Sequence, residues 1–446
     1  MNSSVVREEA HSALDIAWVR GQFPALRKVV NGHPAAFLDG PAGTQVPLRV
    51  IEAMREYFEH SNANTLGAFD SSRRTDAMIL AARSAMADFL NCDPGEVFFG
   101  PNMTTLTFAL ARSIGRELAA GDEIVVTTLD HDANVAPWRA LEEKGVVVRQ
   151  VDIHVSDCTL DMDDLRRKIN SRTRLVAAGY ASNAVGTINP IREIIRIAHA
   201  AGALAFIDAV HYAPHGSIDV RSLGCDFLAC SPYKFYGPHM GCIFGKREHL
   251  LRYHPYKVRP APDSAPERWE TGTQVHEGLA GVIAAIDYLV DLGRHSQARS
   301  TGLVHDEVEA NGRQKNQEGA LGGRREALLR AYEAIHEHEM ALASRMIAGL
   351  LEIPGLKFYG ISDPARFAHR CPTVGVRLNG YTPLEAATFL GDRGIFTWDG
   401  NYYAVNLTER LGVEKDGGLL RIGLVHYNTT EEVDRMLAAL GELASR

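Results

Sequence analysis

Residues 207–246 read IDAVHYAPHGSIDVRSLGCDFLACSPYKFYGPHMGCIFGK. Two short apolar runs, DFLACS (226–231) and GCIFGK (241–246), flank a turn-rich loop, and a third run, ALAFIDAV (203–210), ends near an acid. Their length suits strands rather than helices. Their near-continuous apolar character is that of strands covered on both faces, as in a parallel sheet. Upstream, EIVVTT (123–128) and LVAAGY (175–180) repeat the pattern, and REIIRIAHAAG (192–202) between them and ALAFIDAV has the period of a helix. Strands alternating with helices predict an α/β domain with a mostly parallel sheet.

Ligands of such sheets bind beyond the carboxyl ends of the strands. Asp208 falls at such an end, and Lys234 follows the next strand between two aromatics. A lone lysine is ordinarily a solvated surface ammonium. A lysine desolvated between buried strands instead loses basicity and becomes a nucleophile toward carbonyl groups.

The flanking regions differ in character. Residues 8–30 read as an amphipathic helix and its exit, leading to the turn-rich AFLDGPAGTQVP (36–47). After an apolar helix at 278–293, the stretch 294–323 is polar and nearly free of aromatics, the composition of a flexible insertion. A long helix (325–352), a strand TVGVRL (373–378), a helix near 383–393 and a strand LLRIGLV (419–425) follow. The last helix starts at Thr429 or Thr430, where a hydroxyl and following acids form an N-cap signature. The expected division is an N-terminal segment (1–30) packing with a small C-terminal α+β domain (281–446), and a large domain at 31–280.

Composition bounds the function. The 446 residues are 46% hydrophobic and 23% charged, ordinary for a globular protein. Lys plus Arg number 47 against 55 Asp plus Glu, a net charge of -8. Such a balance provides no electrostatic footprint for nucleic acid or for an anionic membrane. Six scattered cysteines are too few for a disulfide framework, and with no CxxC pair metal-binding and thioredoxin-like readings are weak, so no metal site is expected. No run reaches the roughly 18 apolar residues of a membrane span, and the N-terminus lacks a signal-peptide core. A cytoplasmic enzyme or binding protein is the expectation. The absence of GxGxxG after an early strand disfavours a nucleotide-dependent oxidoreductase.

These motifs together resemble the cysteine desulfurase-like, class V aminotransferase family of pyridoxal 5'-phosphate enzymes, across the whole chain apart from the insertion. The resemblance implies the type I pyridoxal-phosphate-dependent transferase fold. Lys234, in SPYKFYGP, corresponds to the lysine carrying the cofactor as a Schiff base, and Asp208, in FIDAVH, to the acid pairing with the pyridine nitrogen. His131, in LDHDANVAPW, corresponds to the histidine stacked on the ring and relaying protons. His211 matches the polar residue near the phenolic oxygen. Met103-Thr104-Thr105, opening a helix, stands where the family has its phosphate-binding segment, in keeping with the anion affinity of helix N-termini. Ser231 and Thr273, the latter contributed by a partner subunit, add phosphate contacts and imply a homodimer. Asn183 matches the residue near the cofactor oxygen and the substrate carboxylate, and Arg421 the arginine that holds that carboxylate, which a guanidinium can bind bidentately.

Two positions depart from the family. Tyr233 replaces the histidine often found before the lysine. In GIFTWDGNYYAVNL (394–407), Tyr403 stands where a desulfurase presents its persulfide-forming cysteine, and no cysteine follows Cys371. Asn401, Tyr402 and Tyr403 are expected at the substrate entrance. The reading is a C–S lyase acting at Cα and Cβ of an amino acid without a persulfide cysteine. Transamination or epimerisation on the same site is the alternative, and a non-catalytic binding protein of the same fold a distant one.

Overall fold

The computed structural model describes residues 14–300 and 323–446. Its centre is a seven-stranded sheet with spatial order Val97–Gly100, Gly241–Gly245, Phe227–Cys230, Leu204–Asp208, Thr173–Gly179, Glu123–Thr127, Val147–Val151. Gly241–Gly245 pairs antiparallel with both of its neighbours, and the other pairings are parallel. The continuous apolar runs have a direct cause: alternate residues enter different cores. Val125, Val176, Ala205, Ile207 and Leu228 join one cluster with the helices Asp70–Leu90, Ile191–Ala200 and His276–Ser300. Ile124, Val126, Leu175, Phe206 and Ala229 join another with Met103–Ile114.

A second, antiparallel sheet has the order Leu356–Tyr359, Thr373–Leu378, Leu419–Gly423, Trp398–Gly400. Its core takes Leu342, Met346 and Leu350 from the helix Arg324–Glu352, and Val433, Met436 and Leu440 from Thr430–Ala444. Thr429 caps that last helix in a reciprocal box with Glu432.

Packing divides the chain elsewhere than at residues 30 and 280. Ala36 and Leu38 belong to the second core, because Ala36–Phe37 pairs parallel with Ile395–Phe396. Leu279 to Leu292 and Ala327 to Ile335 pack instead into the first core, under the large sheet. One long helix is thus shared between the two cores.

Two expected boundaries shift. Of the helix expected over 8–30, the described residues contain Ile16–Gly21, capped by Asp15; residues 1–13 lie outside the description. Pro24 opens a 3-10 turn, Pro24–Arg27, since its ring and missing N–H prevent continuation of the α-helix. The helix expected to stop at 293 runs to Ser300. Its polar residues are used in packing: the His295 ring stacks on Trp18 at 4.7 Å. The part of the expected insertion at 301–322 lies outside the description. Among the described residues no helix is long and apolar enough to cross a membrane.

Asp226 ties the edge of the large sheet together. It accepts from the Ala205 N–H (2.8 Å), Lys246 Nζ (2.7 Å) and the rings of His199 (2.7 Å) and His249 (3.0 Å). Burial works to raise its pKa, but the hydrogen bonds from His249 and Lys246 hold it below the usual carboxylate range. Its contribution to stability is therefore present at neutral pH and lost as pH falls through the depressed pKa. Asp226→Ala should cost about 1–3 kcal/mol, because the buried Ala205 N–H loses its acceptor while the partly exposed Lys246 can turn to water. Thermal unfolding at neutral pH measures this, and the deficit should shrink in acid.

Candidate active site

A cavity of about 540 Å³ opens at the carboxyl ends of the parallel strands, where the two sheets meet. The chain feeds it from both sides. Asp208 closes the strand Leu204–Asp208, and Asp130 follows Glu123–Thr127. Lys234 ends the 3-10 turn Pro232–Lys234, and Arg421 comes from the middle of Leu419–Gly423 in the second sheet.

Two buried cations dominate the site. Lys234 is 8% exposed, donates to the Pro41 carbonyl, and lies over the Tyr233 ring at 4.8 Å. Burial, then repulsion from Arg421, lowers its pKa to about 7. Arg421 is 4% exposed, donates to the Asn183 carbonyl at 2.9 Å and lies 4.1 Å over the Tyr402 ring. Neither forms an ion pair with a carboxylate among the described residues. Burial pushes the guanidinium down to about 10. A desolvated, unpaired guanidinium is costly unless a ligand anion completes it.

The acids and imidazoles respond to the same dryness. Burial raises Asp208 to about 6, while its Oδ1 accepts the Val210 N–H at 2.9 Å. Burial raises Asp130 to about 8, with the charge of Asp208 adding to it. His131 accepts the Ala133 N–H at Nδ1, and burial depresses its pKa to about 4, so the ring is neutral with its proton on Nε2. His211 has no hydrogen-bond partner at either nitrogen among the described residues, and Asn183 Oδ1 has none either.

Most residues expected from the sequence line this cavity: Thr104, His131, Asn183, Asp208, His211, Ser231, Lys234, Tyr403 and Arg421. Two do not. Thr105 is exposed beside the cavity, and its N–H is taken by Asn102 Oδ1 (2.8 Å), so Asn102 rather than a threonine caps the helix Met103–Ile114. Thr273 is exposed and outside the cavity of its own chain. Reading the sequence missed Asp130, although it too is an acid just beyond a strand end. It also missed Pro41 and Trp398, whose positions depend on contacts across the chain.

The class V aminotransferase family matches residues 36–311 and 328–436. The chain belongs to that family. It is a pyridoxal 5'-phosphate-dependent enzyme. It is 31% identical over 439 residues to a cysteine desulfurase of Dickeya dadantii, covering 95% of each chain. It is 32% identical over 444 residues to that of Cronobacter sakazakii, covering 95% of this chain and 96% of the relative. The apo cysteine desulfurase of Thermococcus onnurineus NA1 superposes with a TM-score of 0.78 at 26% identity, over 95% of this chain and 98% of that one. The Escherichia coli cysteine desulfurase CsdA, in its S-sulfonic acid form, gives 0.77 at 26% identity, over 97% and 98%.

The residues fit the cofactor on structural grounds. A buried amine of lowered pKa suits an aldehyde, the orphaned nitrogens of His211 and the oxygen of Asn183 await polar partners, and a helix N-terminus suits a phosphate. Capture of pyridoxal 5'-phosphate by apoprotein requires the neutral amine. Its rate should climb as pH rises through about 7 and level off above, a profile set by Lys234. Stopped-flow absorbance gives the profile, and Lys234→Ala should abolish the borohydride-fixable fraction. A flat profile would remove the assignment.

Proposed function

We propose that the enzyme breaks the Cβ–S bond of a small sulfur-bearing amino acid, and that no cysteine of this chain receives the sulfur as a persulfide. The carrying observation is that all six cysteines are buried and none lines the cavity. Burial pushes the thiols of Cys158 and Cys225 up to about 12 and raises those of Cys92, Cys242 and Cys371 further. A nucleophilic thiolate needs the opposite environment. At the cavity rim stands Tyr403, 70% exposed and stacked on His131 at 5.3 Å, and a phenol cannot carry a persulfide.

Each residue then has a task. When bound, pyridoxal 5'-phosphate supplies a ring that draws off the electrons left at the substrate Cα. Lys234 holds the cofactor through Nζ, and its freed amine, of pKa near 7, takes the Cα proton. Asp208 keeps the pyridine nitrogen protonated, His131 offers a flat neutral face, and Asn183 and His211 hold the phenolic oxygen. Thr104, Ser231 and the helix N-terminus receive the phosphate; Thr105, expected there from the sequence, lies outside the cavity. Thr273, exposed on this chain, completes the phosphate site of a second copy in a homodimer. Arg421 binds the substrate carboxylate. The Cα–H and Cβ–S bonds break, sulfur leaves as a thiol or sulfide, and water converts the remainder to a keto acid and ammonia.

Arg421→Ala should weaken amino-acid binding by about 2–3 kcal/mol, read as a raised KM with a smaller change in kcat. An unchanged KM would refute its role. With cysteine as substrate, alkylation during turnover followed by mass spectrometry should find no persulfide on any of the six cysteines, with sulfide free in solution. A substrate-dependent persulfide at any of them would restore a true desulfurase.

A further inference from the structure

His211 lines the main cavity, and its ring centroid is 5.4 Å from that of His215, which lines a second cavity of about 300 Å³. Cys371 lines the second cavity as well. The three residues are 4%, 5% and 1% exposed, and one donor atom from each lies within 4.8 Å of the others. Their sequence spacing has a metal-binding form, H-x3-H in HYAPH (211–215) with a distant thiol. The turn makes the spacing effective: Ala213 N–H bonds Ala209 O and His215 N–H bonds Tyr212 O, each at 2.9 Å.

The hydrogen bonds are those of a prepared ligand set. His215 Nδ1–H donates to Glu339, a fully buried carboxylate, at 2.8 Å, which leaves the Nε2 lone pair facing outward from that bond. That nitrogen has no partner among the described residues, and neither nitrogen of His211 has one. A cofactor oxygen satisfies at most one nitrogen of His211. Buried polar atoms are rarely left in this state, and a carboxylate behind an imidazole is the usual support of a metal-bound histidine.

We propose that His211, His215 and Cys371 bind a zinc-class divalent cation, with Glu339 as the positioning residue behind His215. Two imidazoles and a thiolate are the donors such an ion prefers, and the charges balance. The dication is neutralised by one thiolate and the Glu339 carboxylate, both imidazoles being neutral. On binding, two metal–nitrogen bonds and one metal–sulfur bond replace bonds to water, the thiol proton leaves to solvent, and nothing is oxidised or reduced. Tetrahedral zinc sets nitrogen and sulfur donors about 3.3–3.7 Å apart, so the three must draw together by about 1 Å. Coordination through one nitrogen of His211 fixes the other as an N–H donor on a ring that also lines the main cavity. This site is separate from the choice between lyase and desulfurase and stands whichever is correct.

The test uses holoenzyme stripped with a chelator, dialysed against Zn2+ or Co2+, and assayed by elemental analysis. One equivalent should remain, and the Co2+ form should show tetrahedral d–d absorption with a thiolate charge-transfer band. Cys371→Ser should abolish that band, and His215→Ala should remove the bound equivalent. Glu339→Gln should weaken binding by about 10–100-fold, with folding of each variant checked by circular dichroism. Failure of the wild-type protein to retain an equivalent would overturn the site without any variant. Stoichiometry and spectrum unchanged in folded Cys371→Ser and His215→Ala would overturn it as well.

Discussion

A strand end of the large sheet and a strand of the second sheet bring two cations, Lys234 and Arg421, into one cavity, and among the described residues neither forms an ion pair with a carboxylate. That unrelieved charge is the constraint on which the site depends. It keeps His131 neutral, as the charges of both cations add to the effect of burial. With the Val210 N–H, the charge of Lys234 also restrains Asp208, which burial alone would raise further than about 6. In water these groups would titrate independently. In a low-dielectric cavity they set one another's protonation, as acid–base catalysis requires.

The two sheets divide the work. The large sheet delivers Asp208, Asp130 and Lys234 to the cavity from its strand ends, with a packed core on each face. The second sheet delivers Arg421 and the loop with Trp398, Tyr402 and Tyr403. Tyr403 has a left-handed backbone (φ 60°), and its carbonyl accepts the Asp132 N–H at 2.7 Å, which fastens the loop to the turn bearing His131.

The buried cluster behind His211 adds a second level of organisation. Glu339 lies on the long helix that both cores share, and Cys371 just ahead of a strand of the second sheet. A ligand bound there would join the cofactor wall to both cores.

The sequence alone determined five of the seven strands of the large sheet, missing Val97–Gly100 and Val147–Val151 at its two edges, and placed Asp208 and Lys234 beyond strand ends. All of these rest on local patterns: apolar runs mark the strands, and residues at strand ends are near the ligand by the geometry of a parallel sheet. Asp130 obeyed the same rule and was equally legible. Tertiary structure alone decided the rest. Pro41 reaches Lys234 across 193 residues, Arg421 meets Asn183 across 238, and Glu339 meets His215 across 124. It also carried the helix to Ser300, because Trp18 gives the polar His295 a surface to stack on. Hydrophobic periodicity records which face of an element is buried, but not which distant segment buries it, and the desolvation that lowers the pKa of Lys234 depends on that segment.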